Sequence, residues 1–301
     1  ARQRNQTLNA ELRLWGIETN VEIERLGDKI LDVLDRQPAT IEEISDRLPA
    51  ALVRELNQTS RGGRVSTTTN VSLALRWLIS AGRLVVSNAA DDWWIKRLVY
   101  HRLDWTCPEL DLTNLPAEAE AQKLLVRAFI ATFGPVTEAD ISFWTGFGKS
   151  ETARAAGALA NETVLTMVEG IPGMLFLLKE QADTLRACEP PSVPLISVLP
   201  ANDPYLTAYR ASRTRYFSDQ TLQRRVFSSS GAAKPAILVN GRIVASWDWQ
   251  IENHRHRLSW ELLTSIEPAV AALIQTEFKQ VAAFIGPQTV AEPVNPVSGE
   301  K

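Results

Sequence analysis

Cysteine and histidine are nearly absent: the chain holds two of the first and three of the second. Cys107 and Cys188 cannot staple a disulfide scaffold. They suit a reducing compartment, so a cytoplasmic location is expected. With only His101, His254 and His256 beside them, no metal-ligand spacing occurs, and no metal or other cofactor is expected. Long apolar runs are missing too. None reaches the roughly 18 residues of a membrane span, so no membrane partner is expected. The opening ARQRNQTLNAELRLW lacks the apolar segment of a secretion signal. Basic charge is not in surplus either. The net charge is −3, so a nucleic-acid partner would have to be held by local patches rather than by a global field. Position 1 is Ala, not Met. Removal of an initiator is one explanation, and a segment preceding Ala1 is the one expected here.

What is present is ordinary for a globular protein: 301 residues, 45% hydrophobic and 22% charged. That length allows a sizeable core and one to three domains. Within it lies a repeat. Gln37 to Leu48 reads QPATIEEISDRL, and Gly134 to Thr145 reads GPVTEADISFWT. Thr40 and Thr137 suit helix N-caps, with Glu43 and Asp140 three residues on. The first is a Thr-x-x-Glu capping box, and Asp140 should make a poorer version. A helix precedes each copy, with Ile23, Leu26, Ile30 and Leu34 spaced on one face in the first. Leu124, Leu125, Ala128 and Phe129 do the same in the second. After the first copy, Val71, Leu75, Leu78 and Ile79 form an apolar helical stripe that should stop at Gly82. After the second comes the shorter KSETARAAGALA. Each set then runs into β-prone hairpin sequence. Helix, short helix, helix and hairpin, twice over, is a tandem winged-helix arrangement. Such modules also serve as protein-contact or dimerisation parts.

The final third differs. PSVPLISVLPANDPY contains a strand and a turn. Arg210, Arg213, Arg215, Arg224 and Arg225 then crowd together against Asp219. Asn240-Gly241 between AILV and RIVASW is a strong hairpin signal. Alternation puts Ile243, Ala245, Trp247, Trp249 and Ile251 on one strand face. Leu258, Trp260 and Leu262 continue an apolar face after a turn. The tryptophans should therefore pack beneath the amphipathic helix that starts at Pro268. His254, Arg255, His256 and Arg257 should protrude where the strands reverse. The expected fold class is α+β, with tandem winged-helix domains followed by a C-terminal β-meander/helix domain. The expected division is 1–20, a remnant of a leading helix; 21–105 and 115–187, winged helices; 193–286, an α/β domain with the hairpin; and 287–301, a disordered tail.

Three dispersed segments carry a resemblance. They are FGPVTEADISFWTGFGKS, then Leu199-Pro200 with Asp203-Pro204-Tyr205, then Gly241-Arg242-Ile243-Val244-Ala245-Ser246-Trp247. Together they resemble the winged-helix DNA-binding proteins that include the AlkZ/YcaQ-like DNA glycosylases, over about residues 10 to 286. The resemblance implies excision of alkylated or crosslinked bases. It also implies a catalytic Gln-aliphatic-Gln or Gln-aliphatic-Asp. That signature belongs to a region preceding the first winged helix and is not expected in this chain, where Gln250-Ile251-Glu252 is a near match. Base excision needs a carboxylate or amide to position water and steady a developing cation. Asp203 is the most interesting lone acid, although Asp before Pro is also a common turn starter.

DNA binding has more support in the residues. Phosphates are contacted by Lys, Arg and hydroxyls. Arg61, Arg64 and Thr68 lead into the helix that carries Arg76, and Lys149 and Arg154 take the comparable place in the second copy. Tyr205, Arg210, Arg213, Arg215, Arg242, His254 and Arg255 complete the candidates, with double-stranded DNA as the partner. The bland alternative at each is a solvated loop or helix face. A non-catalytic winged-helix regulator or scaffold is the alternative function. The residues carry no signal for an oligomeric state.

Overall fold

The computed structural model describes residues 9–17, 20–35, 37–59, 63, 65–90, 95–217, 219–252, 255–286 and 289–293. The chain divides into two compact units, Ala1–Leu115 and Pro116–Lys301.

In the first unit a helical turn at 9–14 (α1) lays Leu12 onto the core. Helices α2 (Asn20–Leu34), α3 (Ile41–Arg47) and α4 (Asn70–Ser80) close around it. Ile23, Ile30, Leu34, Leu75 and Leu78 are buried there, as helical spacing requires. The capping box at α3 forms in full: the Thr40 N–H donates to Glu43 at 2.9 Å, and the Glu43 N–H donates to the Thr40 hydroxyl at 3.3 Å. One hairpin was not anticipated. Strands β1 (Glu55–Thr59) and β2 (Val65–Thr69) pair between α3 and α4. Thr68 thus lies on a strand opposite Leu56 rather than in a loop, and Thr69 caps α4. A second hairpin, β3 (Leu84–Asn88) with β4 (Leu98–Arg102), and the short α5 (Leu103–Thr106) follow.

The second unit begins with α6 (Glu118–Phe133), α7 (Glu138–Thr145) and α8 (Lys149–Gly157). The hairpin β5 (Thr163–Val168) and β6 (Ile171–Leu178) follows, then α9 (Lys179–Arg186). Beyond it lies β7 (Ile196–Leu199), then α10 (Pro204–Thr207) and α11 (Gln223–Val226). β8 (Ala236–Val239), β9 (Arg242–Glu252) and β10 (Arg255–Leu262) lead to α12 (Pro268–Ile285) and β11 (Thr289–Pro293). The expected meander is therefore the middle of a five-stranded sheet, ordered β11-β10-β9-β8-β7. Residues 289–293, read above as part of a disordered tail, pair in parallel with β10.

This sheet separates two cores. Ile237, Ala245, Leu258 and Trp260 meet Ile274, Phe278 and Ile285 of α12 on one face. Ala236, Leu238 and Ile243 face the other way, toward α6–α8 and the 204–233 connection. Residues from 115–187 and from 193–286 thus share a single core. The β9 register breaks where Ile237 opposes Ala245 but Leu238 opposes Ile243, leaving Val244 unpaired. That bulge turns Ile243 to the opposite face from Ala245, which strict alternation had placed together. Ile251 is half exposed, not buried. The tryptophans do pack under α12: Trp247 sits edge-on to Phe278 at 5.9 Å. Its indole N–H donates to Leu199 O at 2.7 Å, and Trp260 donates to Gln275. His256 is buried against Trp249, whose indole N–H donates to His256 Nδ1 at 3.0 Å, so only Arg255 and Arg257 of the described turn residues project.

Asn240-Gly241 turns with both residues in the left-handed region, φ 50° and 78°, as a type I′ hairpin demands. The Asn240 side chain also accepts the Leu195 N–H at 2.8 Å, tying the turn to the sheet edge. Replacing Phe278 by Ala should lower stability by about 3–5 kcal/mol, as large-to-small changes in aromatic cores do. Urea unfolding followed by tryptophan fluorescence, with Trp247 as reporter, checks this. A loss under about 1 kcal/mol would mean that the α12 face is not the core described.

Candidate nucleic-acid interface

The most connected side chain in the second unit is Asp140. It is fully buried at the third position of α7. Its Oδ1 accepts the backbone N–H groups of Arg210 and Ala211 at 2.8 Å and that of Ser212 at 3.3 Å. Its Oδ2 accepts from the Ser212 hydroxyl at 2.6 Å, from the Thr137 hydroxyl at 2.7 Å and from the Thr137 N–H at 3.2 Å. The capping box is therefore complete, not impoverished. The shorter carboxylate also reaches a loop far along the chain. Burial pushes the Asp140 carboxyl up, but these bonds to the charged form outweigh it and hold the group below its ordinary value.

What Asp140 holds is the arginine-rich connection. Arg210 is exposed, its guanidinium 5.1 Å from the Phe143 ring. Arg215 is half-buried over the Tyr209 ring at 3.6 Å, donating to Ser212 O and Pro135 O. Arg213 is only 5% exposed. It lies 3.9 Å over the Phe227 ring and donates to Tyr209 O at 2.9 Å and Gly231 O at 3.2 Å. The picture of a uniform surface cluster is thus corrected. Arg213 and Arg215 are packed against aromatics, while Arg210 and Arg224 reach solvent. Beneath them Tyr205, Tyr209, Tyr216, Phe217 and Phe227 stack edge to face. The Tyr216 hydroxyl donates to Tyr205 O and the Tyr209 hydroxyl to Phe133 O. Burial pushes the Tyr209 phenol up to about 12 and that of Tyr216 higher still.

Over this floor runs a groove of about 800 Å³, lined by Arg210, Arg213, Gln220, Gln223, Arg224, Phe227, Ser228 and Ser229. Among the described residues no carboxylate is in its walls. The serines and glutamines were not foreseen; the run Ser228-Ser229-Ser230-Gly231, following two arginines, was the available signal.

The other candidates are scattered. Lys149 is exposed at the first turn of α8. Arg154, exposed on the same helix, donates to Gln122 at 2.7 Å. Arg76 is committed to Glu11 at 2.7 Å. Arg255 is exposed at the start of β10. Arg61, Arg64 and His254 lie outside the described residues. Tyr205 is 37% exposed, and its hydroxyl approaches the Gly241 backbone beside exposed Arg242. The Asp203 segment and the Gly241–Trp247 segment therefore meet in space, joined again by the Trp247 bond to Leu199. Asp203 caps α10, accepting the Tyr205 N–H at 2.8 Å. Gln250 is exposed and donates to Asp248 at 3.0 Å. A second triplet of that spacing, Gln181-Ala182-Asp183, lies in α9. Its helix splits it: Gln181 turns inward to donate to Ala131 O, while Asp183 is exposed and pairs with Arg186.

Residues 2–284 match the family described as DNA glycosylase AlkZ-like. The chain belongs to that family. The AlkZ-like assignment agrees with a solved structure, the Streptomyces sahachiroi DNA glycosylase AlkZ. The two share a TM-score of 0.65 over 94% of this chain and 72% of that one, at 20% identity. That likeness establishes a common α+β fold. No curated protein matches the chain. Among the described residues no helix is long and apolar enough to cross a membrane, and no group of three or more His, Cys, Asp or Glu could hold a metal ion.

Asp140→Asn should cost about 3 kcal/mol, because a buried charged acceptor becomes a half-donor facing N–H groups. Since the folded carboxyl is depressed, its contribution is complete above the ordinary aspartate value of 3.8 and is lost as pH falls through the folded value. Wild-type melting temperatures should therefore fall more steeply than those of Asp140→Asn between about pH 5 and pH 2. Parallel curves would show that Asp140 is not ionised in the folded protein.

Proposed function

We propose that this AlkZ-like chain binds double-stranded DNA through tandem winged helices and the C-terminal sheet layer, and that it serves base excision of alkylated or crosslinked DNA. One observation carries the DNA reading: two exposed arginines, Arg210 and Arg224, flank a groove of hydroxyls and amides with no acid in its walls among the described residues. Family membership supports the reaction class. The winged-helix reading is supported by α2–α4 and α6–α8, each followed by a hairpin. The turn from α7 to α8 passes through Gly146 in the left-handed region, φ 73°, as helix-turn-helix connections favour. Lys149 and Arg154 lie exposed on α8, which would be the helix presented to DNA.

A second reading is a binder that does not excise. The observation favouring it is that the described residues bring no amide and carboxylate together in the groove. Gln181 and Asp183 diverge, and Asp203 is used as a cap.

The experiment is binding to an alkylated or crosslinked duplex, followed by assay for released base. Binding should weaken roughly a thousandfold between about 50 and 200 mM salt if six or more phosphates are contacted. Release of free base supports excision, and binding without release supports the second reading. Undetectable binding at low salt would rule out both.

A further inference from the structure

Among the described residues the groove's buried cation, Arg213, has no counterion. Arg213 is only 5% exposed, yet among the described residues no carboxylate pairs with it. Asp140 acts on it only from a distance, and its own carboxylate is saturated. Two Arg213 nitrogens, Nε and Nη2, donate to backbone carbonyls. Burial, and after it the like charge of Arg210, depress the guanidinium below its ordinary range. A buried charge normally requires a partner. Arg224 adds a third positive charge to the same groove, and Arg225 is the one that finds an acid, Glu261 at 3.5 Å.

The wall opposite is built from a tight turn. The Ser228 N–H donates to Ala232 O, and the Gly231 N–H donates to Ser228 O. Gly231 sits at φ 99°, and a Cβ there would come within 3.0 Å of Phe143. Only glycine lets this turn close against Arg213, and closure brings Ser228 and Ser229 to the groove.

We propose that this groove is a site for one phosphate group, with Arg213 as its floor and Arg210, Arg224, Ser228 and Ser229 as its rim. Guanidinium and hydroxyl donors fit tetrahedral oxyanions, and arginine holds phosphate in forked geometry. The DNA-binding reading above supplies only the source of the phosphate, a backbone phosphodiester. Free phosphate is the other source of the same chemistry.

The test uses the whole chain and two probes. In the first, about 10 mM inorganic phosphate should raise the wild-type Tm by about 3 °C over chloride of equal ionic strength. The shift should vanish in Arg224→Gln and Ser229→Ala and persist in Arg186→Gln, a distant exposed position on α9. Arg213→Met should also lose it; if that variant does not fold, the two rim variants still decide. In the second, the slope of log affinity for duplex DNA against log salt should fall by about 0.9 in Arg224→Gln. A reduced slope supports the site with DNA as source. A lost thermal shift with unchanged slope supports it with free phosphate. No phosphate shift together with an unchanged slope overturns it, even if the chain binds DNA. A phosphate shift in a chain that fails to bind DNA leaves the site standing and removes the functional reading.

Discussion

One buried carboxylate organises the second unit. Asp140 belongs to α7 by its backbone and to the arginine connection by its side chain. Without its carboxylate the capping box of α7 would lose its reciprocal half, the bond from the Thr137 N–H, and the three backbone N–H groups of 210–212 would lose the acceptor that gathers them. Each such group costs on the order of 1–3 kcal/mol when left unmade. Six accepted bonds compensate the desolvation of a full charge. The consequence is positional. Tyr209, Arg210, Arg213 and Arg215 project from a backbone pinned at one point, so their rings and guanidinia interleave instead of fraying into solvent.

The sheet does the complementary work. Its α12 face is sealed by Trp247, Trp260 and Phe278, which leaves the other face to receive α6–α8 and the 204–233 connection. The bulge at Val244 makes this division possible within one strand. Ile243 serves the core beneath the groove, while Ala245 and Trp247 serve α12. Without the bulge, alternation would put Ile243 on the α12 face with Ala245 and Trp247.

Features that depend on neighbours in sequence were legible. Thr40 and Thr137 cap helices because capping is a matter of three residues. Asn240-Gly241 turns because both residues tolerate positive φ. The helical stripes bury as their spacing implies. What escaped depends on distant partners. The strand pair β1–β2 is polar apart from Leu56 and Val65, too few to make an alternation that announces it; Glu55–Thr59 and Val65–Thr69 satisfy one another's backbones, and Leu56 reaches the core. Strand β11 is short and contains a proline, and its partners, β10 and Gln275 of α12, lie outside its own segment. The arginine run gave charge but not burial. Nothing local distinguishes Arg213, stacked on Phe227, from Arg224, three residues before Phe227 in sequence and open to solvent. Asp140 reads from its own segment as a weak cap because five dozen and more residues separate it from the loop it holds.

Two charges of opposite sign are buried in this unit, and they are treated differently. Asp140 is saturated by donors from its own chain, so it asks nothing of a ligand and is structural. Among the described residues Arg213 has one aromatic face and two carbonyls but no anion, and it opens on a groove where Arg210 opposes it by like charge. A protein of net charge −3 has acids to spare for pairing, and Arg225 with Glu261 shows such pairing close by. With no acid paired to Arg213, Arg210 or Arg224 among the described residues, the empty groove is raised in free energy and an entering anion lowers it. That asymmetry, more than the number of arginines, distinguishes a place built to receive negative charge from a merely solvated basic surface.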